Sequence, residues 1–377
     1  MTTTVLLVND VASVGGGQTV MLDVARVLIA AGFTAHVACP PGHLADQATA
    51  IGADWHEFHF AERRLLTPRG RLPRPRAVAA RVDEGRRLAA LAAEVGADIV
   101  HTGALVPHLD VVATGRRPTV RTVWHLNQVH PAYLFAGPLP DTIVSVSRAA
   151  LRPARWRAAA RARAAVVPNG IDVDRFRPPA PDERLQMRER LGLGEEFTVV
   201  TVARLEPLKG VDTLIRAAAA ARSRPALLVV GDATGYAGGP AYADGLRTLA
   251  ADLGVDARFL GNRADVPELL RAADAFAYAS TYDAAPLVLA EASATGLPVV
   301  TGNAGGCGEM IHDGVTGVLL EPEDVTGFAT TFDRLAGSPD LRLRLGRAGR
   351  QRAVEELDLG RLADRLLPIY VDLVGVS

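Results

Sequence analysis

Short apolar runs alternate with longer stretches of 3.6-residue periodicity along most of this 377-residue chain. Continuous apolar runs of that length suit strands buried on both faces, and the helical stretches between them suit crossovers. The pattern therefore predicts parallel sheets wound with helices. In the first half it predicts strands over 5–8, 35–38, 99–101, 120–124, 143–146 and 165–167, with helices over 19–31 and 86–95. In the second half it predicts strands over 198–202, 227–230, 255–260, 275–279, 298–301 and 317–320. Helices over 211–221, 242–253, 266–272 and 287–295 lie between those strands. Each half reads as its own doubly wound domain. The join is expected where Pro178, Pro179 and Pro181 disfavour helix and sheet and leave an extended connector. Two such domains predict a cleft, with ligands at the carboxyl ends of the strands.

Composition narrows the function classes. Apolar residues make up 49% of the chain and the formal net charge is -1, which argues against bulk nucleic-acid affinity. Cys39 and Cys307 lie far apart and suggest neither a disulfide framework nor a metal knuckle, so a reducing cytoplasm is the expected home. The start has no charged n-region of a signal peptide, and no run reaches the roughly 20 apolar residues that cross a bilayer. Two basic stretches remain. Residues 62–76 mix Arg with Pro and Gly and read as a loop. Arg148, Arg152, Arg155, Arg157, Arg161 and Arg163 punctuate an Ala-rich helical stretch, where they form either a solvated helix or a surface for an anionic partner.

The segment YDAAPLVLAEASATGLPVV, from Tyr282 to Val300, carries the most chemistry. Asp283 falls in a loop, and Glu291 falls inside a helix that begins near Pro286. The free N–H groups at that helix start suit an anion. The two acids could grip hydroxyls on either side of a bound diphosphate; otherwise Asp283 is a turn residue and Glu291 a solvated helix face. Gly15, Gly16 and Gly17 stand between a strand and a helix, as close backbone approach to a phosphate or sugar requires, or as an ordinary turn does. Arg204 and Lys209 flank a turn at Pro207, either as a pair of cations for a diphosphate or as surface charges. His125 ends a predicted strand, as a functional or a structural histidine. No HExxH or other metal-ligand spacing is present.

Several segments in order resemble retaining glycosyltransferases of family 4: GGGQTVMLDVARVLIAAGFTAHVACP, DTIVSVSRAA, VPNGIDVDRF, ARLEPLKGVDTLIRA, FLGNRADVPELLRAADAFAYAS, the Asp283 to Glu291 segment, and GGCGEMIHDGVTGVLLEPED. The likeness spans most of the chain and is weakest over 54–117. It implies the GT-B fold, an α/β arrangement of two Rossmann-like domains facing each other across a cleft. The implied boundaries are an acceptor-side domain over 1–178, a nucleotide-sugar domain over 179–355 and a final helix over 356–377 that returns to the first domain. The implied reaction is transfer of a sugar, with retention, from a nucleoside diphosphate sugar (UDP-sugar first) to a hydroxyl of a small-molecule acceptor.

The resemblance also implies roles. Arg204 and Lys209 would bind the diphosphate, Asp283 the sugar hydroxyls and Glu291 the ribose. Gly16, Gly305 and Gly306 would approach the donor through backbone, and Asn262 and Arg263 would begin the base-binding loop. His125 would reach the donor sugar, and His101 and His108 would touch the acceptor. No cofactor, metal, nucleic acid or membrane insertion is expected. The chain departs from the family at Asp283, usually Glu, and at Ala284, Ala285 and Pro286, which leaves the donor sugar open. Competing readings are a nucleotide-sugar epimerase or disaccharide phosphorylase on the same fold, and a non-catalytic nucleotide-sugar-binding subunit.

Overall fold

A computed structural model describes residues 2–60, 75–103, 121–126, 140–152, 163–234 and 238–375. The chain forms two compact units, one of Met1–Gly170 with Leu359–Ser377 and one of Ile171–Asp358. The change of unit at Gly170 lies ahead of the expected boundary at 178. Pro178 and Pro179 belong wholly to the second unit, and Pro181 opens a helix there instead of extending a connector.

The first unit holds one parallel sheet of β1 (Thr4–Val8), β2 (Thr34–Cys39), β3 (Asp54–Glu57), β4 (Ile99–Thr102), β5 (Arg121–Leu126), β6 (Thr142–Ser145) and β7 (Arg163–Val166). Their order is β3-β2-β1-β4-β5-β6-β7. Helices α1 (Gly16–Ala30), α2 (His43–Ala50), α3 (Pro75–Glu94) and α4 (Arg148–Leu151) connect them. The apolar runs are strands because both sheet faces are covered. Val5 and Leu7 enter one core with Leu22 and Leu28, while Leu6 and Val8 enter another with Leu88 and Val100. β3 has no counterpart among the predicted strands. Its sequence DWHE is partly exposed and sits at the sheet edge, so no apolar run marks it.

The second unit holds β8 (Thr198–Val202), β9 (Ala226–Val230), β10 (Ala257–Gly261), β11 (Ala275–Tyr278), β12 (Val299–Gly302) and β13 (Gly317–Leu320) in the order β10-β9-β8-β11-β12-β13. Around them lie α5 (Pro181–Arg190), α6 (Val211–Ala220), α7 (Gly239–Asp252), α8 (Val266–Ala272), α9 (Leu287–Ala294), α10 (Cys307–Met310), α11 (Val325–Ala336) and α12 (Pro339–Glu356). The sheet is buried on both faces, with Phe276 and Tyr278 on one side and Ala275 and Ala277 on the other.

The last helix, α13 (Leu359–Val374), belongs to the first unit. Leu362, Leu366 and Tyr370 complete the core that α1 and β1 begin. Arg163, expected on a helix, instead starts β7 and pairs with Asp372 of α13. Of the basic stretch ahead of it, residues 153–162 lie outside the described residues, as does most of the 62–76 loop. Among the described residues no helix is long and apolar enough to cross a membrane.

Candidate functional site

In each sheet the strand order reverses beside the first strand of its unit, between β1 and β4 and between β8 and β11. Crossovers leave a sheet in opposite directions at such a switch point, and the gap opens at the carboxyl ends of the strands. Arg204 to Lys209 follow β8, and Asp283 follows β11. Two segments that are distant in sequence are thus brought to one switch point of the second unit.

There the groups are joined directly. Lys209 ends a single 3-10 turn (Pro207–Lys209), and its Nζ donates to Asp283 Oδ2 at 2.7 Å. Tyr278, the last residue of β11, donates its hydroxyl to the same oxygen at 2.7 Å. Among the described residues no donor takes Asp283 Oδ1. Lys209 Nζ also lies 5.7 Å from the centre of the Tyr278 ring. The side chains of Lys209 and Asp283 are 14% and 19% exposed, so this ion pair is largely desolvated and little screened by salt. Burial and the Asp283 carboxylate push the Tyr278 hydroxyl well above its ordinary pKa, which keeps it a donor.

Backbone holds the two loops in register. Ser280 Oγ and the Thr281 N–H both donate to the Leu208 carbonyl, each at 2.9 Å. Gly210 follows the turn with φ 63°, and a Cβ there would sit 2.2 Å from the Ala279 carbonyl oxygen. The Gly306 N–H donates to the Asp283 carbonyl at 2.8 Å. Gly305, at φ 57°, lies so close that a Cβ would fall 1.8 Å from that oxygen. Lys209, Asp283, Gly305 and Gly306 therefore form one cluster, with Tyr278 beneath it.

The remaining expected donor residues surround or stand apart from that cluster. Glu291 is half-buried on α9, whose N-cap is Pro286 rather than its first helical residue. Arg204 is 60% exposed and pairs with Glu206 at 2.9 Å. Asn262 and Arg263 are exposed after β10, and Arg263 forms a two-bond pair with Asp265 at 2.7 and 2.6 Å. Cys307 lies just after the glycine turn, where burial and Asp283 push its thiol up to about 12, so it stays protonated at neutral pH.

The first unit presents a different arrangement at its own switch point. Gly16 opens α1 after β1, and a Cβ there would meet nothing. The turn is held by Gln18, whose Oε1 accepts from the Gly15 N–H at 3.1 Å. His125 on β5 is 2% exposed, and neither ring nitrogen has a partner among the described residues. Burial pushes its pKa down to about 4, so the ring is neutral at physiological pH. His101, a candidate acceptor contact at the end of a predicted strand, lies on β4 and is fully buried, with Nδ1 bonded to the Tyr370 hydroxyl of α13 and its ring 5.3 Å from that of His125. The reason is the pleat. His101 and His125 share the sheet face of Ile99 and Val123, which α13 covers. His108 lies outside the described residues.

Tyr278 and Tyr370 were not singled out from the sequence. Each is an aromatic among apolar neighbours, as core residues are, and only the tertiary structure gives each hydroxyl its partner. A usable signal was a phenol ending a strand five positions before the loop acid.

Residues 183–352 match the family described as "Glycosyl transferases group 1", and residues 14–175 match "Glycosyltransferase Family 4". Among curated proteins, a GDP-mannose-dependent alpha-(1-6)-phosphatidylinositol monomannoside mannosyltransferase of Mycolicibacterium smegmatis is 40% identical over 203 residues, 50% of this chain and 51% of that protein. A D-inositol 3-phosphate glycosyltransferase of Salinispora arenicola is 39% identical over 226 residues, 56% of this chain and 50% of that protein. The chain thus spans about half the length of these relatives. Among solved structures, a glycosyltransferase from Rickettsia africae superposes with a TM-score of 0.83 at 20% identity, over 100% of both chains. Anabaena HepE in complex with UDP-glucose superposes with a TM-score of 0.82 at 22% identity, over 98% of this chain and 99% of that one.

Proposed function

The chain belongs to the family 4 glycosyltransferases and has their two-domain α/β GT-B fold, and from that premise we propose that it moves a sugar from a nucleoside diphosphate sugar to an acceptor hydroxyl with retention at the anomeric carbon. The observation that carries this reading is the Lys209–Asp283–Tyr278 cluster with Gly305 and Gly306 closed over the Asp283 backbone, at the switch point of the second unit. It puts a cation for a leaving diphosphate and a carboxylate for sugar hydroxyls within one hydrogen bond of each other.

In this reaction the bond from the anomeric carbon to the β-phosphate oxygen breaks, and the bond from that carbon to the acceptor oxygen forms. The acceptor proton passes to the departing phosphate oxygen on the same face. Lys209 and Arg204 neutralise the charge that grows on the diphosphate, and no metal is required for that task. Asp283 accepts from sugar hydroxyls, Glu291 from the ribose, and the loop at Asn262 and Arg263 meets the base.

A UDP-sugar is the first donor to test, and GDP-mannose is its competitor, because the M. smegmatis relative's name specifies it. A small polyol such as an inositol phosphate is the proposed acceptor, since the S. arenicola relative's name specifies D-inositol 3-phosphate; the M. smegmatis relative's name specifies a phosphatidylinositol mannoside instead. The test is thermal unfolding of the native chain and Glu291→Ala with UDP, GDP, ADP and dTDP and their sugar conjugates. A ligand at a hundredfold excess over its Kd adds about 2.7 kcal/mol. The expected result is one nucleotide raising the native Tm, a gain lost in the variant, and acceptor-dependent release of that nucleoside diphosphate. A flat panel with identical behaviour of the two proteins would overturn the reading.

A further inference from the structure

The Lys209–Asp283 bond creates a problem for a transferase. The cation that must meet a diphosphate is already bonded to the carboxylate that must meet the sugar. When a diphosphate draws Lys209 away, Asp283 loses a charge-assisted bond at the moment its orientation matters. Asp283 is also shorter than Glu291, and rotation about its Cα–Cβ bond carries the whole carboxylate away from the sugar.

We infer that Tyr278 is a positioning residue that keeps Asp283 aimed once Lys209 has moved to the diphosphate, an inference that rests on the glycosyl-transfer reading above. The hydroxyl is placed for it. It sits 2.7 Å from the same Oδ2 that Lys209 occupies, so it holds one oxygen and leaves Oδ1 for a sugar hydroxyl. The tyrosine is itself fixed: only 2% exposed, at the end of a central strand, with its ring against Phe276. Its ring also faces the ammonium of Lys209, so one residue touches both halves of the ion pair.

Tyr278→Phe keeps the ring under Lys209 and removes only the hydroxyl. Calorimetric titration of native chain and variant with UDP, GDP and their glucose and mannose conjugates reads the inference directly. The expected result is unchanged affinity for the free nucleoside diphosphate. The additional affinity of the sugar conjugate and the turnover number should each fall about tenfold. In an Asp283→Ala background the same substitution should change neither. Equal weakening of nucleotide and conjugate, an undiminished effect without Asp283, or no effect at all would overturn the positioning role. A native chain that binds no nucleoside diphosphate would overturn the transfer reading, and this inference with it. A native chain that favours the conjugate while Tyr278→Phe behaves identically would remove this inference alone.

Discussion

At the end of β11, Asp283 is bonded to Lys209 and Tyr278. At the end of β5, His125 is more deeply buried, and both of its nitrogens lack a partner among the described residues. The first cluster satisfies its own charges and so is preorganised. The second holds an imidazole that burial keeps neutral. His101, one strand over, bonds the Tyr370 hydroxyl through Nδ1, while its Nε2 has no partner among the described residues. One unit thus carries a paired ionic cluster, and the other a buried, neutral imidazole.

The largest test of this contrast removes the charge at its centre. Lys209→Ala should lower turnover by about two to three decades, the range for losing one preorganised donor to a developing charge. Steady-state release of nucleoside diphosphate measures it, and a loss below threefold would mean that the cation does not serve the leaving group.

Acid should separate the two regions next. The folded-state pKa of His125, about 4, lies below the unfolded value near 6.5. The unfolded chain therefore binds the extra proton first. Stability from the neutral ring is complete above pH 6.5 and is lost as pH falls toward 4, by roughly 3 kcal/mol. His101 shifts in the same direction, through burial and then His125. Denaturant unfolding of native chain and His125→Phe between pH 7 and 4 should show a flatter pH dependence in the variant; parallel curves would exclude His125 as the source.

Two phenol deletions give the smallest and sharpest comparison. Tyr370→Phe orphans the buried His101 Nδ1 and should cost about 1–3 kcal/mol of stability. Tyr278→Phe leaves Asp283 still bonded to Lys209 and should cost under about 1 kcal/mol. Their order in thermal unfolding would reverse if the Asp283 cluster, rather than the histidine pair, were the strained one.

Much of this arrangement was legible in the sequence. The runs 198–202 and 317–320 are strands at the stated residues, since short β-branched and apolar runs mark them even though β13 lies at the sheet edge and is only partly buried. Asp283 in a loop and Glu291 in a helix were likewise readable, from Pro286 and the apolar residues after it. Helix α12 was not. Its arginines mask the periodicity, yet Arg350 donates to the carbonyls of Val173, Phe176 and Ala294, and Arg352 to those of Glu309 and Met310. A charged residue whose partners are distant backbone carbonyls carries no local mark. The position of His101 was hidden in a similar way, since only the placement of α13 over that face makes it interior.

Helix α13 also fixes an order of events during synthesis. Leu362, Leu366 and Tyr370 belong to the core begun by β1 and α1, yet the ribosome makes them after the whole of Ile171–Asp358. At about 5–20 residues per second, the second unit emerges while the first waits on the order of tens of seconds for its final wall. During that interval the apolar face around Leu28 and Val123, and the two histidines beside it, lack the helix that covers them. The nascent first unit is therefore the part of this chain most in need of a chaperone.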